Sequence, residues 1–116
     1  MQFSKSLKFN HVFRRLYSKG HSAAARDLVM YCRKNGTQEN RIGLTVGVKL
    51  GHAVCRNRLR RQLREIYRLH ENEFLRGFDI VVVARSHAVA ADYHQLENAY
   101  LRLAEKLCLL RKEGSV

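Results

Sequence analysis

The segment Gly51–Arg68, GHAVCRNRLRRQLREIYR, carries six arginines in its last thirteen residues: Arg56, Arg58, Arg60, Arg61, Arg64 and Arg68. Turned at about 100° per residue, it sorts into faces. Leu59, Leu63, Ile66 and Tyr67 share one arc, with His52, Cys55 and His70 on or near it. Asn57, Arg60, Arg61, Arg64 and Arg68 fill the neighbouring arc, Arg58 lies further round, and Glu65 interrupts the positive side once. The apolar arc has to be covered by another element, so the segment is a helix lying on a core with its arginines displayed. A solvated helix face normally mixes signs for i,i+4 pairing, whereas Arg56, Arg60, Arg64 and Arg68 repeat one sign at that spacing and repel one another. A polyanionic partner offsets that repulsion, and guanidinium forks suit bidentate phosphate contact. The segment therefore predicts both a packed helix and a nucleic-acid surface.

Strand-like runs flank it. In RIGLTVGVKLG, residues Ile42, Leu44, Val46, Val48 and Leu50 alternate with Gly43, Thr45, Gly47 and Lys49, which predicts one strand with an apolar core face and a second face almost bare of side chains. FDIVVVAR, with Ile80 to Val83 consecutive, suits a strand buried on both faces, as in a parallel pair. RDLVMYCR sends Leu28, Met30 and Cys32 one way and Val29, Tyr31 and Arg33 the other, and KNGTQEN is a polar turn. Phe9, Val12, Phe13, Leu16 and Tyr17 have helical spacing, with Gly20 as a stop. In DYHQLENAYLRLAEKLCLLRK, Asp92 and Gln95 form a capping box ahead of an amphipathic helix through Leu96, Tyr100, Leu103, Leu107 and Leu110. The order helix, strand, strand, helix, strand, helix gives an α+β fold with helices against a small sheet. Should the strands around the arginine helix be parallel neighbours, physics alone makes that crossover right-handed.

With 116 residues, 46% of them hydrophobic, no proline and no linker, the chain reads as one domain over 1–116, with an ordered core of about 7–112. The net charge of +12 again favours nucleic acid, with an anionic membrane surface second. No apolar run approaches the roughly 20 residues of a membrane span, and MQFSKSLKFN lacks a signal-peptide core. Cys32, Cys55 and Cys108, odd in number and widely spaced, fit reduced thiols in a cytoplasm. The six histidines form no HExxH or zinc-like pairing, and no Cys-x-x-Cys or Walker loop occurs. Glu65 sits among arginines, where a salt bridge is expected, and Asp79 and Asp92 mark element boundaries. No catalytic residue and no metal site are expected in the polypeptide.

The same segment resembles the RNR signature of the bacterial ribonuclease P protein subunit family: Arg56-Asn57-Arg58, continued by Arg60, Arg61, Arg64 and Glu65 and followed by Gly77-Phe78-Asp79. The similarity extends over roughly residues 7 to 110. It takes in LKFNHVFRRLYSKGHSAAARDLVMY, RIGLTVGVKLG, LRGFDIVVVAR and DYHQLENAYLRLAEKL. The resemblance implies a fold similar to the second domain of ribosomal protein S5, with a left-handed βαβ crossover in place of the right-handed default. It implies a small basic partner of a catalytic RNA, in a ribonucleoprotein that removes the 5′ leader of precursor tRNA by Mg²⁺-dependent hydrolysis. Mg²⁺ would be held mainly by the RNA, with no obligate protein partner and no membrane association. Arg56, Asn57, Arg58, Arg60, Arg61, Arg64 and Arg68 match the surface for the catalytic RNA. Phe13, Tyr17 and Tyr31 match aromatics of a cleft for the single-stranded leader, and Lys49 is placed with them; His52 has no assigned role. Two other classes suit the basic charge: a ribosome-associated or general RNA-binding protein, and, less well for want of helix-turn-helix spacing, a DNA-binding protein.

Overall fold

The computed structural model describes residues 4–6 and 20–111. Alternation makes the strands. Leu28–Lys34 (β3) buries Leu28, Met30 and Cys32 while Val29, Tyr31 and Arg33 face the other way. Its partner is Phe78–Ala84 (β5), antiparallel, with Leu28 opposite Ala84 and Lys34 opposite Phe78. Asn40–Thr45 (β4) lies parallel to β5 on the other side, from Arg41 opposite Asp79 to Thr45 opposite Val83. Ile80, Val81 and Val82 are all fully buried, as a strand covered on both faces requires.

Two further strands complete the sheet: Ser4–Ser6 (β1), parallel to β4, and His21–Ala24 (β2), antiparallel to β3. The order is β1-β4-β5-β3-β2. The expected order of elements had neither edge strand, because their short polar or small-residue stretches carry no apolar alternation. The expected helix through Phe9, Val12, Phe13, Leu16 and Tyr17 lies outside the described residues.

Ala53–His70 (α1) connects β4 to β5 and buries Leu59, Leu63, Ile66 and Tyr67, the arc its periodicity defines. Tyr93–Lys106 (α2) begins with the full capping box: the Gln95 N–H donates to the Asp92 carboxylate and the Asp92 N–H donates to the Gln95 side chain. Both helices share one core with Leu28, Met30, Cys32, Ile42, Ile80 and Val82, so they cover the same sheet face. Edge-to-face packing of Phe74 against Tyr67 (centroids 5.0 Å apart) and Tyr100 (6.2 Å) joins the two helices.

Two elements end sooner than expected. β4 stops at Thr45, and Val48–Leu50 forms a 3-10 turn, so Val48 is 75% exposed instead of lying on the core face, while Val46 stays buried. α2 stops at Lys106 instead of continuing through Leu110. Cys108 takes a left-handed conformation (φ 58°), its N–H donates to Glu105 O (3.0 Å), and the Leu109 N–H donates to Ala104 O (2.9 Å). This is a Schellman ending with cysteine in the place glycine usually takes. The chain then turns so that Leu109 is buried and Leu110 bridges to Phe74.

Candidate nucleic-acid interface

The outer side of α1 is the largest concentration of positive charge, and its context sharpens it: from Asn40 to Arg64 the chain has no acidic residue. The arginines there divide by what they touch. Arg58 donates to Val89 O (3.0 Å), tying the start of α1 to the 3-10 turn Ser86–Val89. Arg60, half-buried where exposure was expected, donates to Asn57 Oδ1 (3.0 Å) and reaches Val46 O at the end of β4 (3.4 Å). Arg56 donates to Gly51 O (3.2 Å), at the corner before the helix. Arg68 is held by Glu65 through two hydrogen bonds of 2.9 and 2.5 Å. Those bonds hold the Glu65 carboxyl below the usual carboxylate range, so the expected salt bridge is present. Arg61 and Arg64 are exposed and make no ion pair or hydrogen bond among the described residues.

Two further arginines, Arg26 and Arg85, lie where β3 begins and β5 ends. The β3–β5 register sets Leu28 opposite Ala84 and so brings the two preceding and following arginines together. Arg85 donates to Ala25 O (3.0 Å), and Arg26 lies 3.5 Å from Asp27. Single basic residues far apart in sequence offer no pattern by which this pairing could have been found.

Tyr31 lies on the sheet face away from α1, in a cross-strand row with buried Val81 and Gly43. Lys49 is exposed in the turn leading into α1, so it does not share that face. Nor do Gly43 and Gly47 make one bare surface: Gly43 is buried in an interior strand, and Gly47 is exposed beyond its end. Phe13 and Tyr17 lie outside the described residues.

Among the described residues no three His, Cys, Asp or Glu side chains gather as a metal site. Glu65 is engaged by Arg68 and Asp79 by Arg41. Cys32, Cys55 and Cys108 are free thiols, and burial, with Cys108 nearby, pushes the Cys32 thiol up to about 11, out of the reactive range. Among the described residues no helix is long and apolar enough to cross a membrane.

Known proteins with this arrangement are consistent in kind. The family model described as Ribonuclease P matches residues 1–108. The ribonuclease P protein component of Natranaerobius thermophilus is 40% identical over 107 residues, covering 92% of this chain and 93% of its own. That of Thermoanaerobacter sp. (strain X514) is 43% identical over 100 residues, 86% of each chain. Among solved structures, the RNase P protein of Staphylococcus aureus superposes with a TM-score of 0.85 at 34% identity, covering 91% of this chain and 97% of that one. The RNase P protein of Thermotoga maritima gives 0.79 at 32% identity, covering 95% and 99%. A family model matching residues 1–108, together with relatives of this similarity over nearly full length, makes this chain a member of the ribonuclease P protein family.

Proposed function

We propose that the protein is the protein subunit of a ribonuclease P holoenzyme, an endoribonuclease that matures tRNA 5′ ends. The observation that carries this reading is the acid-free stretch from Asn40 to Arg64, ending on an α1 face where Arg61 and Arg64 have no hydrogen-bond or ion-pair partner among the described residues. Unpaired guanidiniums on a rigid helix are preorganised for phosphate oxygens, and each contact made releases counterions from the RNA. In this reading Arg61 and Arg64 contact the catalytic RNA directly. Arg56, Asn57, Arg58 and Arg60 serve both RNA and fold, and Arg68 binds after exchanging Glu65 for phosphate. The polypeptide contributes binding and orientation; the reacting centre and its Mg²⁺ belong to the RNA.

A second surface takes the 5′ leader of precursor tRNA. Tyr31 supports it as a half-buried aromatic on the sheet face opposite α1, where a single strand can stack without strong sequence preference. Phe13 and Tyr17 are assigned to it with Tyr31, and Lys49 supplies charge where the leader approaches the catalytic RNA.

The test is reconstitution with a bacterial ribonuclease P RNA at low Mg²⁺. The protein is expected to stimulate cleavage at the mature 5′ end and to show no such cleavage alone after stringent removal of RNA. Stimulation no greater than that of an unrelated basic protein would instead indicate a general RNA binder. For the second surface, Phe13→Ala or Tyr17→Ala is expected to weaken affinity for long-leader substrates by about 1–3 kcal/mol, the value of one stacked base. Mature tRNA should be unaffected. Equal losses for long and short leaders that track loss of folded protein would make both residues core.

A further inference from the structure

The two most exposed large apolar side chains among the described residues are Val54 (83%) and Val48 (75%). They flank Gly51 at the junction of the 3-10 turn and α1, where Leu50 O accepts from Cys55 Sγ (3.9 Å) and folds the turn against the helix. Every residue from Gly47 to Val54 except Leu50 is exposed, and Lys49, His52 and Arg56 are the charged or polar neighbours. Neither valine belongs to the core, although helix and strand both have apolar residues that do.

We infer that Val48 and Val54 form an apolar seat for an unpaired nucleobase of the partner RNA, set within the basic surface. This rests on the proposed subunit role and adds a base contact to what are otherwise phosphate contacts. Charge selects the occupant. A patch enclosed by an acid-free, arginine-rich stretch is complementary to a polyanion, and the apolar part of a nucleic acid is its bases. The base must be unpaired, because in a duplex its faces are stacked away from protein side chains. Two valines are far short of the roughly 800 Å² per partner of a stable protein interface. A membrane surface would need a long apolar helix face, and the apolar face of α1 is buried against the core.

The experiment compares the Val48→Ser/Val54→Ser double variant with Arg61→Ala/Arg64→Ala, measuring affinity for the ribonuclease P RNA against salt together with base-selective chemical probing of the complex. The valine variant is expected to weaken binding by about three- to tenfold at every salt concentration, with an unchanged salt slope, because apolar contact releases no counterions. It should also re-expose one or a few bases that the wild type protects, and Val54→Leu should keep them protected. Exposed valines leave thermal unfolding unchanged, so lost binding that follows lost folding overturns the inference. Unchanged affinity and base protection overturn it too, and if the arginine variant still weakens binding, the subunit reading stands without it. A valine variant that flattens the salt slope as the arginines do also overturns it. Should neither pair affect RNA binding, both the inference and the RNA-binding reading of α1 fail.

Discussion

The outer face of α1 and the end of the sheet where β4 and β5 begin are both rich in polar groups, and they use them in opposite ways. At the sheet end, the fully buried Asn40 donates to Leu75 O (2.9 Å) and the Tyr67 hydroxyl (3.1 Å) and accepts from the Phe78 N–H (2.9 Å). Asp79 takes two charged hydrogen bonds from Arg41, at 2.6 and 2.5 Å, and a third from Asn35 at 3.1 Å. Asn35 also donates to Glu39 O and accepts from Thr37, closing the 35–39 turn. On α1, by contrast, same-sign charges stand a turn apart and two arginines are unanswered among the described residues. Polar groups that satisfy one another hold register, since leaving any of them unpaired in the interior costs about 1–3 kcal/mol. Groups left open at the surface add nothing to the fold and stand ready for a partner.

The contrast can be broken most decisively at Asn40. Asn40→Ala removes the partner of the part-buried Phe78 N–H and Leu75 carbonyl and should cost about 1–3 kcal/mol, read by denaturant unfolding. RNA affinity per folded molecule should be unchanged; a loss of affinity without a loss of stability would erase the division between the two regions. Gly77→Ala tests the same end by sterics. Gly77 has φ +94°, and a Cβ there would lie 2.7 Å from Thr37 O, so the variant should lose about 1–3 kcal/mol.

On α1 the expectation inverts. Arg61→Ala and Arg64→Ala should each leave stability within about 0.5 kcal/mol. Each should flatten the salt dependence of RNA binding by about 0.7–0.9 in log–log slope per lost phosphate contact. Arg68→Ala should flatten it less, because Glu65 already engages that side chain. Equal slopes for all three would show that the ion pair has no bearing on binding.

The smallest effect is expected where the two regions meet, at the C-terminus of α1. There His70 bridges Glu73 and Glu97, its Nε2 2.9 Å from Glu97. Burial works against the imidazolium, but the hydrogen bonds it donates to Glu97 and Glu73 outweigh it and raise the His70 pKa above the ordinary 6.5. A raised folded value means the stabilisation is complete below the ordinary histidine range and is lost as pH rises through the folded pKa. Melting temperature should therefore fall shallowly as pH rises past the ordinary histidine range, and His70→Gln should remove that dependence. A melting temperature that rises over this range would reverse the assignment.

Much of this was legible from residue spacing. The Leu59, Leu63, Ile66 and Tyr67 arc, the Leu28, Met30 and Cys32 face, the two-faced burial of Ile80–Val82 and the Asp92–Gln95 box all follow from local periodicity or local hydrogen bonding. The positive face of α1 was equally plain, because charge sign and helical spacing are properties of the chain itself. Less legible were β1 and β2, which are edge strands held by backbone pairing to β4 and β3, so side-chain pattern says little about them.

What the amino-acid order determined without help is which face of each long element is apolar and where uncompensated charge gathers, since both are set by residues within a few turns of one another. Tertiary structure alone decided which arginines remain free. Arg58 is occupied by Val89 O and Arg60 by Val46 O, acceptors supplied from elsewhere in the chain, whereas Arg61 and Arg64 are exposed and meet no acceptor among the described residues. It also decided that Val48 leaves the core although its alternation continues unbroken. The backbone turns after Thr45 to start the 3-10 turn and α1, and periodicity predicts a side chain's face only while the strand that defines it persists.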